Sequence, residues 1–279
     1  MRIANVDGRA AVLMGDGIAD IEEATGGLFG SSVNDIYERW DEFREAALQI
    51  DTPTAPLDLA LLTNPAPMPQ QVFAVGLNYR AHAAESGMTV PEVPATFTKF
   101  PAALSGPFDD IEIHGDSVDW EVELVVVMGQ LADRVAEADA WSYVAGLSIG
   151  QDISDRALQF AARSQFSLGK SRRGYGPIGP WVVTVDEFDN PDDLALGCSV
   201  DEEVVQDGRT SDMVFPVPSL IAELSAIVPL LPGDVIFTGT PAGVGFTRQP
   251  PRSLQPGNML ESWIEGIGSI RNTCIAPRA

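Results

Sequence analysis

Lysine is nearly missing from this sequence: only Lys99 and Lys170 occur in 279 residues, and the other residues of the Lys and Arg set are all arginine. Positive charge of any kind is scarce, with 17 Lys plus Arg against 40 Asp plus Glu and a formal net charge of -23. A chain of that sign repels phosphate backbones and anionic headgroups, which argues against nucleic acid and membrane surfaces as partners. It also works against an anionic substrate, so a site for one needs local positive charge, which a bound cation supplies. Cysteine is equally sparse. Cys198 and Cys274 lie far apart with no histidine at zinc-ligand spacing, which argues against a disulfide framework or a zinc cluster and fits two free thiols in a reducing cytoplasm. No run approaches the roughly 18 apolar residues of a membrane span, and the first residues lack a basic leader pattern, so a cytoplasmic protein is expected. Repeats are absent, and Gly239, Gly243 and Gly245 match neither nucleotide-binding glycine fingerprint.

What is present is enough apolar material for a sizeable core, 45% of the residues, at a length suited to one large domain or one domain with a small extension. Short strands are expected around Arg2 to Met14. A helix is expected near Asn34 to Ala47, where Ile36, Trp40, Phe43 and Ala47 recur at helical spacing. Pro65, Pro67 and Pro69 mark an extended linker over Asn64 to Gln70. The chain therefore divides into a small N-terminal module, 1–66, and a main domain, 67–279. In the latter, runs rich in Val, Ile, Phe and Thr at Val72 to Val75, Glu121 to Met128, Trp181 to Val185 and Asp234 to Phe237 predict strands. Helices are confined to the segment after Tyr79, Asp155 to Arg163, and Ser219 to Ser225.

Three segments carry residues fit for chemistry. In Asp119-Trp120-Glu121-Val122-Glu123, the two-residue period of a strand puts Glu121 and Glu123 on one face of an apolar run. There they are either a strand end in water, or a buried pair in which one carboxyl is protonated or a cation sits between them. Asp152, in Gln151-Asp152-Ile153-Ser154-Asp155, falls at a strand end and is either a third ligand or a turn cap, with Asp155 the natural cap of the helix that follows. Three carboxylates suit a hard, octahedral ion such as Mg2+ or Mn2+. His82 and Glu85, three apart in a short helix after Val75-Gly76-Leu77-Asn78-Tyr79, are neighbours, either as a surface pair or as a carboxylate-oriented general base.

Together with Lys99, Gly169-Lys170-Ser171 and the run from Pro232 to Gly245 containing Thr238-Gly239-Thr240-Pro241, these segments stand in an order that resembles the fumarylacetoacetate hydrolase family, on its acylpyruvase-like branch, over about Val72 to Asn272. The resemblance implies a strand-dominated α+β fold, a mixed β-sandwich roll, found as a homodimer. It implies Glu121, Glu123 and Asp152 as ligands of one Mg2+ or Mn2+ per chain, and His82 and Glu85 as the water-activating dyad on a lid segment. Lys170 is implied as the catalytic group at a developing oxyanion together with Arg156 and Gln159, while Tyr79, Lys99 and Thr240 are implied as substrate contacts. The reaction it implies is hydrolysis of a carbon-carbon bond in a 2,4-dioxo acid through a metal-held pyruvate enolate. The alternatives are decarboxylation of oxaloacetate and hydratase or tautomerase action on a related 2-oxo acid. After Lys170, where family members often carry a Phe-Asp pair, this chain reads Ser171-Arg172-Arg173-Gly174-Tyr175, and the two arginines suggest either a second anionic group on the substrate or a solvated loop. His114 matches no functional position.

Overall fold

A computed structural model describes residues 1–161 and 165–278. The chain opens with a hairpin of Arg2–Val6 and Arg9–Met14, closed by Asp7 and Gly8, both at positive φ (49° and 82°). Asp-Gly takes this two-residue turn at little cost because glycine has no Cβ and aspartate tolerates the left-handed region. The helix expected over Asn34 to Ala47 is interrupted. Arg39 leaves helical geometry at φ -126°, giving separate helices Val33–Glu38 and Trp40–Ala47, and its guanidinium lies 4.3 Å from the centroid of the Phe29 ring.

Among the described residues, twelve strands join into one mixed sheet. Arg2–Val6 pairs antiparallel with Gly176–Val183, so the N-terminal hairpin continues this same sheet. The sheet proceeds through Val144–Gln151 and Val122–Met128 to Val235–Phe237, then Val72–Gly76 running parallel to it, and Ala95–Thr98. A second sheet of five strands includes Glu203–Arg209, Ala195–Val200, Met259–Ile264 and Gly268–Ile275. The expected strands overlap these elements, although the one expected over Trp181 to Val185 ends at Val183, and Asp155 belongs to a short strand, so the helix expected over Asp155 to Arg163 is described only as Arg156–Ala161, residues 162–164 lying outside the described set.

The strand Val122–Met128 is buried on both faces, which explains its unbroken apolar text. Val122, Leu124 and Val126 point into a core shared with Leu196, Val200, Leu260 and Ile270 of the second sheet. Val125 and Val127 point the other way, against Ile36, Tyr37, Trp40 and Phe43 of the N-terminal helices. The architecture is the strand-dominated α+β sandwich that the family resemblance implies. No helix among the described residues is long and apolar enough to cross a membrane.

Candidate active site

Four strands deliver their ends to one edge of the large sheet. Val122–Met128 starts there and antiparallel Val144–Gln151 ends there. Val235–Phe237 leads there into Thr238, Gly239 and Thr240, and its parallel neighbour Val72–Gly76 leads into the helix Arg80–Glu85. The pleat sets Glu121 and Glu123 on the same side. Asp152 closes the ladder beside them, its N–H donating to the Glu121 carbonyl at 2.9 Å. Gly150 pairs with Glu123, and a Cβ there would lie 2.5 Å from Val125 Cγ2 and 2.6 Å from the Phe237 ring, so glycine lets the layers close under the site.

One carboxylate oxygen from each of Glu121, Glu123 and Asp152 lies within 4.8 Å of the others, and all three residues are buried. Buried cations surround them. Lys170 Nζ donates to Glu121 Oε2 at 2.6 Å and to Asp152 Oδ2 at 2.7 Å, and Lys99 Nζ donates to Asp152 Oδ1 at 2.6 Å and to the Lys170 carbonyl. Arg156 Nη2 reaches Glu121 Oε1 at 2.7 Å and Asp119 Oδ2 at 2.7 Å, while its Nη1 donates to Gln159 at 3.0 Å. Four buried acids, counting Asp119, thus face three cations. Glu123 is the acid left over, its carboxylate accepting only from the Gly239 N–H at 2.7 Å among the described residues.

The electrostatics follow. Burial alone would raise Glu121, but Lys170, Arg156 and His82 pull it down to about 2. Glu123 is pushed well above the ordinary carboxylate range by burial and by its neighbours Asp152 and Glu121. Burial alone would lower Lys170, but Asp152 and Glu121 outweigh it and hold its ammonium above the ordinary range. For Lys99 burial wins over Asp152, and the ammonium is pushed down. Three buried oxygen donors with a surplus of negative charge fit a hard divalent ion.

His82 and Glu85 sit on the short helix over this edge. Nδ1 of His82 lies 2.8 Å from Glu85 Oε1, and Glu85 Oε2 accepts from the Gly243 N–H at 2.9 Å. Burial alone would raise Glu85, but the hydrogen bonds from His82 and Gly243 outweigh it and hold the carboxyl below its usual range. With Nδ1 committed to the carboxylate, a neutral His82 carries its proton there and leaves Nε2 free to accept one. The helix is reached through Leu77, a non-glycine residue at φ 56°. Asn78 holds this turn, donating to the carbonyls of Thr238 and Phe215 and accepting from the Phe215 N–H. Gly76 keeps strand geometry, and the turn falls one residue later.

His82, Glu121, Glu123, Arg156, Gln159, Lys170 and Thr240 line one cleft. Asp152 lies beneath Lys170, Glu85 behind His82, and Lys99 behind Asp152 with no exposed surface. Tyr79 is buried in the core between the sheets and does not border the cleft. The Thr240 hydroxyl is engaged at both ends, donating to the Val122 carbonyl at 2.8 Å and accepting from Gln206 at 2.7 Å. Neither extra arginine borders the cleft: Arg172 binds Asp155 at 2.9 Å, and Arg173 lines a separate surface cavity with Asp109 and Asp110. Sequence reasoning missed Asp119, although the same two-residue period that links Glu121 and Glu123 reaches it. It also missed the buried Gln151 and Gln206, which accept from the Glu121 and Val122 N–H groups at 2.9 Å each, and the phenylalanines of the cleft wall. Those carry no local signal, since their meeting depends on the tertiary fold.

The sequence profile of the fumarylacetoacetate (FAA) hydrolase C-terminal domain matches residues 71–275. The mitochondrial oxaloacetate tautomerase Fahd2a of Rattus norvegicus is 39% identical over 231 residues, 82% of this chain and 74% of that protein. The crystal structure of an HpcE-like protein from Mycobacterium smegmatis is similar over the whole of both chains, with TM-score 0.96 at 49% identity. The maleylpyruvate hydrolase from Sphingobium sp. SYK-6, solved with manganese(II) ion and pyruvate, is similar over the whole of both chains, with TM-score 0.82 at 29% identity.

Proposed function

The chain belongs to the fumarylacetoacetate hydrolase family, and on that premise we propose that it is a divalent-metal-dependent hydrolase that cleaves a carbon-carbon bond in an acylpyruvate-type 2,4-dioxo acid. The observation that carries this reading is the His82 and Glu85 pair held at the mouth of a cleft floored by Glu121, Glu123 and Lys170. Glu121, Glu123 and Asp152 would hold Mg2+ or Mn2+, which when bound withdraws electrons from the carboxylate and keto oxygens of a 2-oxo acid. The manganese and pyruvate in the Sphingobium enzyme support both halves of that assignment. His82 takes a proton from water at Nε2 while Glu85 fixes its ring and steadies the imidazolium. The water oxygen bonds to the distal keto carbon, and Lys170, Arg156 and Gln159 stabilise the oxyanion that forms there. Breaking the bond to the methylene carbon releases a carboxylic acid, and a proton returned to that carbon completes pyruvate. A homodimer and a cytoplasmic location belong to the same proposal.

A second reading, keto-enol tautomerisation of oxaloacetate or a related 2-oxo acid, is favoured by the greater identity to the rat tautomerase than to the maleylpyruvate hydrolase. The dyad then moves a proton between carbon and oxygen, and no water is consumed. Pyruvate release from an acylpyruvate and enol loss from oxaloacetate, each measured with Mg2+ for wild type and His82→Ala, separate the two. The hydrolase reading expects pyruvate release that falls roughly 10²- to 10⁴-fold in the variant. Enol loss without acylpyruvate cleavage replaces it with the tautomerase reading.

A further inference from the structure

The cleft has two chemically different halves. Its floor carries Glu121, Glu123, Arg156 and Lys170, and its wall carries four phenylalanine rings in a continuous arc. Phe246 lies 5.6 Å from Phe160 between ring centroids, Phe160 lies 6.5 Å from Phe166, and Phe166 lies 5.9 Å from Phe97. Both ends of the arc stand over cations of the floor. The Arg156 guanidinium carbon is 5.2 Å from the Phe246 ring, and Lys170 Nζ is 5.5 Å from the Phe97 ring. The apolar surface therefore begins where the groups suited to a polar head end.

Part of this wall faces solvent: Phe160 is 40% exposed, and Met88, which also lines the cleft, is 44% exposed. Apolar surface gathered in a cleft is hydrated at a cost that an apolar ligand group removes. A second carboxylate placed against the rings would lose water instead. Among the described residues, the basic side chains of the cleft are Arg156 and Lys170, both already joined to carboxylates, with His82 joined to Glu85.

We propose that the Phe97, Phe166, Phe160 and Phe246 arc receives an apolar acyl substituent, so that the site takes 2-oxo and 2,4-dioxo acids with an aryl or branched alkyl tail in preference to dicarboxylates. The proposal deepens the hydrolase reading and rests on it for the polar head of the ligand. Its test measures binding, so it does not depend on turnover. Pyruvate, phenylpyruvate, 4-methyl-2-oxopentanoate and 2-oxoglutarate share the 2-oxo acid head and differ in the tail. Titrated calorimetrically into the Mg2+-loaded protein, the two apolar tails should bind roughly 10- to 100-fold more tightly than 2-oxoglutarate, the range expected when one hydrophobic side-chain equivalent leaves water. Phe160→Ala, a change at a half-exposed ring, should narrow that gap to about threefold or less. Tighter or equal binding of 2-oxoglutarate by wild type overturns the tail assignment, and so does an undiminished gap in Phe160→Ala. If pyruvate and all three longer acids fail to bind in the presence of Mg2+, the reading of the floor as a 2-oxo acid site falls, and the tail assignment falls with it.

Discussion

Glu123 is the residue at which the electrostatic tension of the site collects, because Lys170, Arg156 and Lys99 spend their charge on Glu121, Asp119 and Asp152. In the metal-free protein its pKa is raised, so the stability it contributes is fully present below the unfolded value of about 4.3 and is lost as pH rises through the raised value. Each unit of that rise removes about 1.4 kcal/mol once the pH exceeds it. With chelator present at neutral pH, Glu123→Gln should therefore melt several degrees above wild type, and the gap should shrink as pH falls toward about 4–5. With saturating Mg2+ the order should reverse, since only wild type gains the full energy of ion binding. Thermal melts of both proteins with and without chelator measure this, and a chelated variant no more stable than wild type at neutral pH contradicts the charge account.

At the scale of elements, the site is made by strand ends and held by side chains that bridge the two sheets. Buried Gln206 accepts from the Val122 N–H and donates to Thr240 Oγ1 and the Pro241 carbonyl, tying the Glu203–Arg209 strand to both segments that frame the carboxylates. Gln206→Met keeps the volume and removes those bonds, leaving buried groups unpaired at about 1–3 kcal/mol each. Its Tm should fall by about 5–10 °C, and a variant that melts with wild type would show the bridge to be dispensable. Many elements were legible because their text is local, as with the alternation at Glu121 and Glu123 and the helical spacing of Trp40, Phe43 and Ala47. The break at Arg39 and the left-handed Leu77 were not legible. Arg39 turns where its guanidinium reaches the Leu28 carbonyl and the Phe29 ring, and Leu77 is held by Asn78 through the distant Thr238 and Phe215. The same limit hid the glutamine bridges and the aromatic arc, whose members lie up to 149 positions apart, from Phe97 to Phe246.

Taken whole, the molecule places both of its lysines among its buried acids, while most of its arginines pair with acids elsewhere on the chain. A chain of net charge -23 keeps two lysines, and both end on Asp152. That scarcity made Lys99 and Lys170 conspicuous in the sequence, yet their separate positions were not legible: Lys170 borders the cleft and Lys99 lies behind it. The pairing of Arg2–Val6 with Gly176–Val183 likewise joins segments more than 170 residues apart, beyond any local signal. Glu121, Glu123 and Asp152 together would hold one divalent ion. Calorimetric titration of Mn2+ into chelator-stripped, dialysed protein tests it most directly, with wild type compared against Asp152→Asn and Glu123→Gln. One ion per wild-type chain is expected, with an affinity at least about 10-fold weaker in each variant. Absence of binding by wild type, or equal affinity and stoichiometry in all three proteins, would contradict it.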